Sequence, residues 1–176
     1  FFSRWVIRDI RAGITRAAKL GYKFSVRINN TSDISPELIY IRENGIKQNI
    51  LELFPDIQFY DYTKIKKRVI KYLNNMYPKN YHLTFSKSET NGAIAESILK
   101  SGGNVAMVFR KSLPSKWLGA EVVNGDETDL RFKDKQNIVV GLHYKNLTGA
   151  GSKGKNDYSE NDFIVKVFLN WIIGNN

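Results

Sequence analysis

Segments typical of buried strands alternate with helical segments along most of this chain, and that order limits the folds open to it. The apolar run at 105–109 (VAMVF) is typical of a strand covered on both faces in a parallel sheet. Residues 81–86 and 138–142 also have strand character, with helical patterns at 64–77 and 91–100. Because parallel strands must be joined by crossovers, the order predicts an α/β fold. We expect a mostly parallel sheet built from βα units, with an incomplete or degenerate barrel as one form of it.

The amino-terminal part predicts the same kind of unit. Residues 3–20 have the periodicity of an amphipathic helix, and residues 22–28 and 57–61 have strand character. Ser35 followed by Pro36 favours the start of a helix, because serine caps helices and proline is tolerated at the first helical position. A further helix is expected at 46–53.

The length of 176 residues fits one α/β domain that spans residues 1–176. Within it, the Gly-, Ser-, Lys- and Asn-rich residues 149–157 predict a mobile loop, and residues 160–173 predict a final helix. The chain does not begin with methionine, so we expect that an upstream segment is missing.

Charge is the strongest compositional signal. The chain has 27 Lys and Arg against 17 Asp and Glu, a net charge of +10, which attracts polyanions. DNA or RNA is therefore the first expected partner, and an acidic protein surface is the alternative. The absence of cysteine excludes a disulfide scaffold, an iron–sulfur cluster and a thiol nucleophile within this chain. No apolar run approaches the roughly 20 residues of a membrane span, so a cytoplasmic protein without a membrane partner is expected.

Polar residues follow each predicted strand. In parallel α/β sheets, ligands bind beyond the carboxyl ends of the strands, and Arg and Lys there would supply donors and charge to a phosphate. We expect one common depression, with residues 126–131 at or beside its rim, that is faced by Asp33, Tyr62, Lys64, Ser86, Glu89 and Arg110. The candidate ligand- or phosphate-binding residues are Arg27, Asn29, Asp33, Tyr62, Lys64, Ser86, Ser88, Glu89 and Arg110.

Structural alternatives exist for several of these residues. Asp33 is also typical of a turn or capping residue, and Ser86 and Ser88 could cap the helix that begins near Glu89. The basic segment 65–72 either follows a nucleic-acid backbone, with Tyr72 and Tyr77 for stacking, or is the charged face of an ordinary amphipathic helix.

The densest acidic segment is 124–134. Its carboxylates Asp126 and Asp129 are candidate ligands of a hard cation such as Mg²⁺. The alternative is a turn whose carboxylates pair with Arg131 and Lys133.

Five segments together carry a family resemblance. They are 26–34 (VRINNTSDI), 53–64 (LFPDIQFYDYTK), 80–89 (NYHLTFSKSE), 103–110 (GNVAMVFR) and 123–132 (VNGDETDLRF). The combination resembles an uncharacterised family of proteins carried by bacteriophages, plasmids and bacterial genomes, over roughly residues 1–145. The resemblance implies a mobile-element setting and no particular reaction; members have a cysteine-bearing segment upstream that this chain lacks. By analogy alone, the order of strands and loops is also similar to degenerate barrels of the radical-SAM type.

Two functional hypotheses follow from these patterns. The first is a nucleic-acid-associated protein of a phage or other mobile element that binds the phosphate backbone through a basic surface. The second is an α/β enzyme that acts on a small phosphorylated or anionic substrate at the carboxyl ends of the strands. The sequence leaves open which of the two is correct, and whether the protein is an enzyme.

Overall fold

A computed structural model describes residues 2–29, 32–43, 45–110 and 112–144. The predicted loop 149–157 and helix 160–173 lie outside these residues. None of the described helices is long and apolar enough to cross a membrane. In chain order the elements are α1 (Phe2–Lys19), β1 (Ser25–Val26), a 3₁₀ turn (Pro36–Leu38), β2 (Tyr40–Glu43), β3 (Ile46–Asn49), α2 (Ile50–Leu53), β4 (Gln58–Thr63), α3 (Lys66–Leu73), β5 (Tyr81–Ser86), α4 (Gly92–Lys100), β6 (Val105–Phe109), β7 (Lys116–Trp117), β8 (Ala120–Asn124), a second 3₁₀ turn (Arg131–Lys133) and β9 (Val139–His143).

Seven of the strands form one sheet in the order β1-β4-β5-β6-β9-β8-β7. Neighbouring strands from β1 to β8 in this order are parallel, and only the short edge strand β7 is antiparallel to its neighbour. Strands β2 and β3 form a separate hairpin. The predicted α/β fold with a mostly parallel sheet is confirmed. The sheet is not a closed barrel, because β1 and β7 end the order on opposite sides.

The segment between β1 and β4 differs from the prediction. The helix expected from Ser35 is only the turn Pro36–Leu38, and the helix expected at 46–53 is strand β3 followed by the four-residue α2. The cause is local: the side chain of Asn49 accepts hydrogen bonds from the backbone N–H groups of Leu51 and Glu52, and the Glu52 carboxylate accepts from the N–H of Asn49. This capping box makes the helix begin after Asn49.

The helices cover one face of the sheet. Alternate strand residues point to opposite faces, and Phe59, Leu83, Phe85 and Val105 share one of them through the strand register. The first two pack with apolar residues of α1 and α2, and the last two with those of α3 and α4. Close packing of α1 requires Gly13, because a Cβ atom there would lie 2.4 Å from the ring of Phe24.

The opposite face of the sheet has a different cover. Near the amino ends of the central strands, Phe132 of the second 3₁₀ turn packs on Tyr60, with ring centroids 5.5 Å apart. Toward the carboxyl ends, Ala106 and Val140 form a small cluster with Tyr62, and Val108 is 54% exposed. The second face is therefore incompletely covered at the end of the sheet where ligands bind in folds of this class.

Candidate ligand-binding cleft

A cleft of about 450 Å³ opens at this uncovered end of the second face. Its volume lies within the range of small-molecule sites. The predicted residues separate into two groups here. Those that line the cleft are Arg27, Asn29, Asp33, Tyr62, Lys64, Ser86 and Asp129; Ser88, Glu89, Arg110 and Asp126 do not line it.

The floor of the cleft is apolar. Ala106, Val108 and Leu142 contribute it from strands β6 and β9, and Ser86 lies beside them at the end of β5. Since Ser86 pairs with Ala106 in the register, their side chains share the face without helices. A ligand in this cleft would place an uncharged part against the floor and its polar groups against the walls.

One wall is held by an ion pair between distant parts of the chain. Arg27 Nη1 donates to Asp129 Oδ2 at 2.8 Å, and Tyr62 Oη donates to Asp129 Oδ1 at 3.0 Å. The guanidinium carbon of Arg27 lies 4.6 Å from the centre of the Tyr62 ring, which is cation–π geometry. Burial and the neighbouring Asp129 charge raise the pKa of Tyr62 above its ordinary value, so this hydroxyl stays protonated at neutral pH.

Asp33 also lines the cleft, and its carboxylate is held by donors from β4, α3 and a residue between them. Its carboxylate accepts from Thr63 Oγ1 at 2.8 Å, from the backbone N–H of Lys64 at 2.8 Å and from Arg68 Nη1 at 2.5 Å. All three donors lie at least 30 residues from Asp33 in the sequence, so these contacts are tertiary and are not those of a local turn or a helix cap. They also fix the backbone at Lys64, so the position of the Lys64 side chain depends on Asp33.

A buried carboxylate below the cleft fixes its first loop. Asp61 is 1% exposed, and its Oδ1 accepts from the backbone N–H of Asn29 at 2.9 Å. Its Oδ2 accepts from Asn29 Nδ2 and Tyr81 Oη, both at 3.2 Å. The Asn29 amide in turn accepts from Ser32 Oγ and donates to the carbonyl of Ile34. Asp61 thus holds the loop that supplies Asn29 and Ser32 to the cleft.

Burial raises the pKa of Asp61 to about 7, against the opposing effects of the Asn29 hydrogen bond and the Arg68 charge. A carboxyl group in an apolar environment resists ionisation because the charged form loses its hydration. This group therefore titrates close to neutral pH, and it is hydrogen-bonded to Asn29, which lines the cleft.

Arg68 connects the carboxylates of Asp33 and Glu37. It is 4% exposed and donates to both oxygens of Glu37 at 3.1 Å, to Asp33 and to the hydroxyl of Tyr81. Tyr77 also donates to Glu37, at 3.0 Å, and burial followed by the Glu37 charge raises the pKa of Tyr77 to about 12. The sequence predicts residues 65–72 as a basic segment that faces a nucleic acid or solvent. In the structure, Arg68 and its neighbour Val69 are the buried residues of α3. The apolar Val69 is the sequence signal that marks this side of the helix as buried.

Two cations at the cleft lack carboxylate partners among the described residues. Lys64 and Lys87 both line the cleft, and neither ammonium group forms an ion pair with a described carboxylate. Lys87 Nζ has a long contact of 3.4 Å to the carbonyl of Ser88. Lys87 and Ser32 line the cleft but were not among the predicted site residues. Their position in loops that follow strands is the sequence signal that could have identified them.

The two candidate metal ligands face different partners. Asp129 binds Arg27 and Tyr62, whereas Asp126 Oδ2 accepts from the backbone N–H of His143 and lies 2.9 Å from its Nδ1. Within the described ranges, no three His, Cys, Asp or Glu side chains are grouped so as to hold a metal ion.

The predicted turn at 124–134 pairs only in part as expected. Arg131 is paired with Asp134, with Nε and Oδ2 3.4 Å apart. Lys133 forms no ion pair with a described carboxylate.

The remaining predicted residues lie outside the cleft. Ser88 donates its backbone N–H to the side chain of Asn91 at 2.7 Å, which shapes the loop before α4, and Glu89 is exposed on that loop. Arg110 is exposed, with its guanidinium 5.7 Å from the ring centre of Tyr144. The sequence identifies the strand ends correctly, but a loop can turn its later residues away from the cleft.

Together, the fold and the cleft define an α/β protein with a small-molecule-sized site on one face of a mostly parallel sheet. The sequence model of one family, described as Gene product 88, matches residues 2–158. The chain belongs to the Gene product 88 family, a family of the phage type. Searches of curated proteins and of solved structures found no match. Neither the family nor the open sheet supports the analogy to radical-SAM barrels.

Proposed function

We propose that the protein binds a phosphorylated ligand in the cleft at the carboxyl ends of its strands. The observation that carries the proposal is the pair of cations, Lys64 and Lys87, which line the cleft without a described carboxylate partner. Lysine ammonium groups bind phosphate as compact point charges, whereas Arg27 is already engaged by Asp129.

The other walls fit the same ligand class. Ser86 offers a hydroxyl group that can donate to a phosphate oxygen. The apolar floor and the Tyr62 ring suit an uncharged portion, such as a nucleoside or a sugar. A nucleotide, or the phosphorylated end of a nucleic-acid strand, combines both parts.

The double variant Lys64→Ala/Lys87→Ala is expected to weaken phosphate-ligand binding at least about tenfold, because a charge-assisted hydrogen bond contributes about 1.5–3 kcal/mol. Isothermal titration with inorganic phosphate and with nucleoside mono- and triphosphates measures the change. Lys100→Ala/Lys135→Ala is the matched control, since it removes the same charge from exposed lysines paired with Glu96 and Glu121. Equal affinity of the cleft variant and the control variant would refute the cleft as the binding site.

A second candidate function is binding along a nucleic-acid backbone through a basic surface. The observation in its favour is the net charge of +10, which one small cleft does not account for. The alternative is that the same positive charge binds an acidic partner protein.

The second candidate predicts strongly salt-dependent binding. Filter binding of wild-type protein to single-stranded DNA, duplex DNA and RNA should show affinity that falls steeply as salt rises, because each phosphate contact releases counterions. Absence of binding to all three at low salt would exclude this function and leave the cleft proposal standing.

A further inference from the structure

The exposed side of α1 is a row of cations. Asp9 is the single acidic residue within the helix, and the helix has no acid in its first turn and two cations in its last. The opposite side is apolar and buried in the core, with Ile10 fully buried and Ala17 3% exposed. The exposed cations are Arg4, Arg8, Arg11, Arg16 and Lys19.

The length of this row suits a phosphate backbone. At about 1.5 Å per residue, Arg4 and Lys19 lie about 22 Å apart along the helix axis. Each strand of duplex DNA has a phosphate about every 3.4 Å along the duplex axis, so a row of this length is long enough to contact several phosphates.

The carboxyl-terminal half of the row also has a surface depression, about 470 Å³ in volume. Arg11, Arg16 and Lys19 border it, and the small side chains of Ala12 and Thr15 lie between them. Small residues between cations allow a phosphate to approach the helix closely. A merely solvated charged face does not require such spacing.

An aromatic side chain lies at the other end of the same helix. Trp5 is 57% exposed, and the Arg8 guanidinium lies 4.4 Å from its ring centre. Exposed aromatic rings beside cations are stacking sites for unpaired bases. The basic helix α3 lacks this feature, because the Tyr72 hydroxyl is hydrogen-bonded to His82 Nδ1 at 3.0 Å.

An anionic membrane is a weaker fit to this surface. Helices that bind membrane surfaces insert an apolar face into the bilayer, and the apolar face of α1 is buried against the sheet. The exposed positive charge of α1 is complementary to a polyphosphate.

We infer that the exposed side of α1 is the nucleic-acid-binding surface, with Arg11, Arg16 and Lys19 on the phosphate backbone and Trp5 stacked on an unpaired base. This inference rests on the second candidate function. It assigns that function to a surface distinct from the cleft, on an element that does not line it.

The test compares charge-matched variants over a salt series. Arg11→Gln/Arg16→Gln/Lys19→Gln should weaken binding at low salt at least about tenfold and reduce the slope of log affinity against log salt by about 2 to 3, at about 0.7–0.9 per lost contact. The control Lys100→Gln/Lys133→Gln/Lys135→Gln removes equal charge from exposed lysines elsewhere and should retain the wild-type slope. Circular dichroism should show that both variants keep their helical content.

A second pair of variants tests whether Trp5 stacks on a base. Trp5→Ala should weaken single-stranded DNA or RNA binding about tenfold and duplex binding little. Tyr40→Ala removes a comparable exposed ring, 51% exposed with Lys47 Nζ 4.7 Å from its centre, and should change neither.

Three results would overturn the inference, and they differ in what they leave standing. If wild-type protein binds no nucleic acid at low salt, the second candidate function fails together with the inference. If wild-type protein binds but the α1 and control variants behave alike, only the assignment to α1 fails. If the α1 variants lose binding to phosphatidylserine vesicles while oligonucleotide binding is unchanged, the surface binds membranes instead.

Discussion

Replacing Arg68 with methionine is expected to lower the free energy of unfolding by about 3–5 kcal/mol, the usual cost of breaking a buried ion pair from one side. The guanidinium is 4% exposed and bonded to Asp33, Glu37 and Tyr81. Its loss leaves the charge of Glu37, itself 8% exposed, without a cation among the described residues, and the Tyr77 hydroxyl still donates a hydrogen bond to it. Urea denaturation at neutral pH measures the change.

Two further variants test the reason for that loss. Lys67→Met alters the adjacent, exposed residue of α3 and should change stability by no more than about 0.5 kcal/mol. Arg68→Met/Glu37→Leu removes both buried charges and should recover part of the loss, because the uncompensated carboxylate is gone. A loss below about 1 kcal/mol for Arg68→Met would show that the network does not stabilise the fold.

Asp61→Asn is expected to change how stability depends on pH. Burial raises the pKa of Asp61 to about 7 in the folded state from 3.8, so the folded state binds the proton more tightly than the unfolded state. The stability that protonated Asp61 provides is therefore complete below about pH 4 and is lost as pH rises through about 7. Between pH 5 and 8 the loss amounts to about 3 kcal/mol in wild-type protein, and it should be absent in Asp61→Asn.

The measurement is the difference in unfolding free energy between wild type and variant at pH 5, 6, 7 and 8. The comparison with the variant is needed because His82 changes the stability in the opposite direction as pH varies. Burial lowers the pKa of His82 to about 4, so the stability that neutral His82 provides is present above about pH 6.5 and is lost as pH falls. Asp56→Asn removes an exposed acid from the turn before β4 and should leave the wild-type pH dependence unchanged. Parallel curves for wild type and Asp61→Asn would contradict the prediction.

Both variants also bear on the cleft. Asp61 holds Asn29, and Arg68 bonds to Asp33, the residue that fixes the backbone of Lys64. Loss of either group should loosen a wall of the cleft, so ligand affinity and stability are expected to fall together in these two variants. The cleft variant Lys64→Ala/Lys87→Ala should change affinity alone.

The sequence by itself determined where the central strands lie along the chain. Residues 105–109 and 138–142 are apolar, as is typical of strands in the middle of a parallel sheet, and β6 and β9 occur there. It also determined that polar residues after these strands come to one end of the sheet, since parallel strands all point the same way. That rule brought Arg27, Tyr62, Lys64 and Ser86 to one cleft.

Only the tertiary structure decided which of those side chains face the ligand side and which are already bound to each other. Arg27 and Asp129 are 102 residues apart in sequence, and Arg68 and Glu37 are 31 apart. No local pattern encodes such partners, because a carboxylate in a loop has the same sequence signature whether it binds solvent or a buried guanidinium. The hairpin β2–β3 and the one-sided helical layer depend in the same way on contacts between distant segments, which exist only when the sheet has formed.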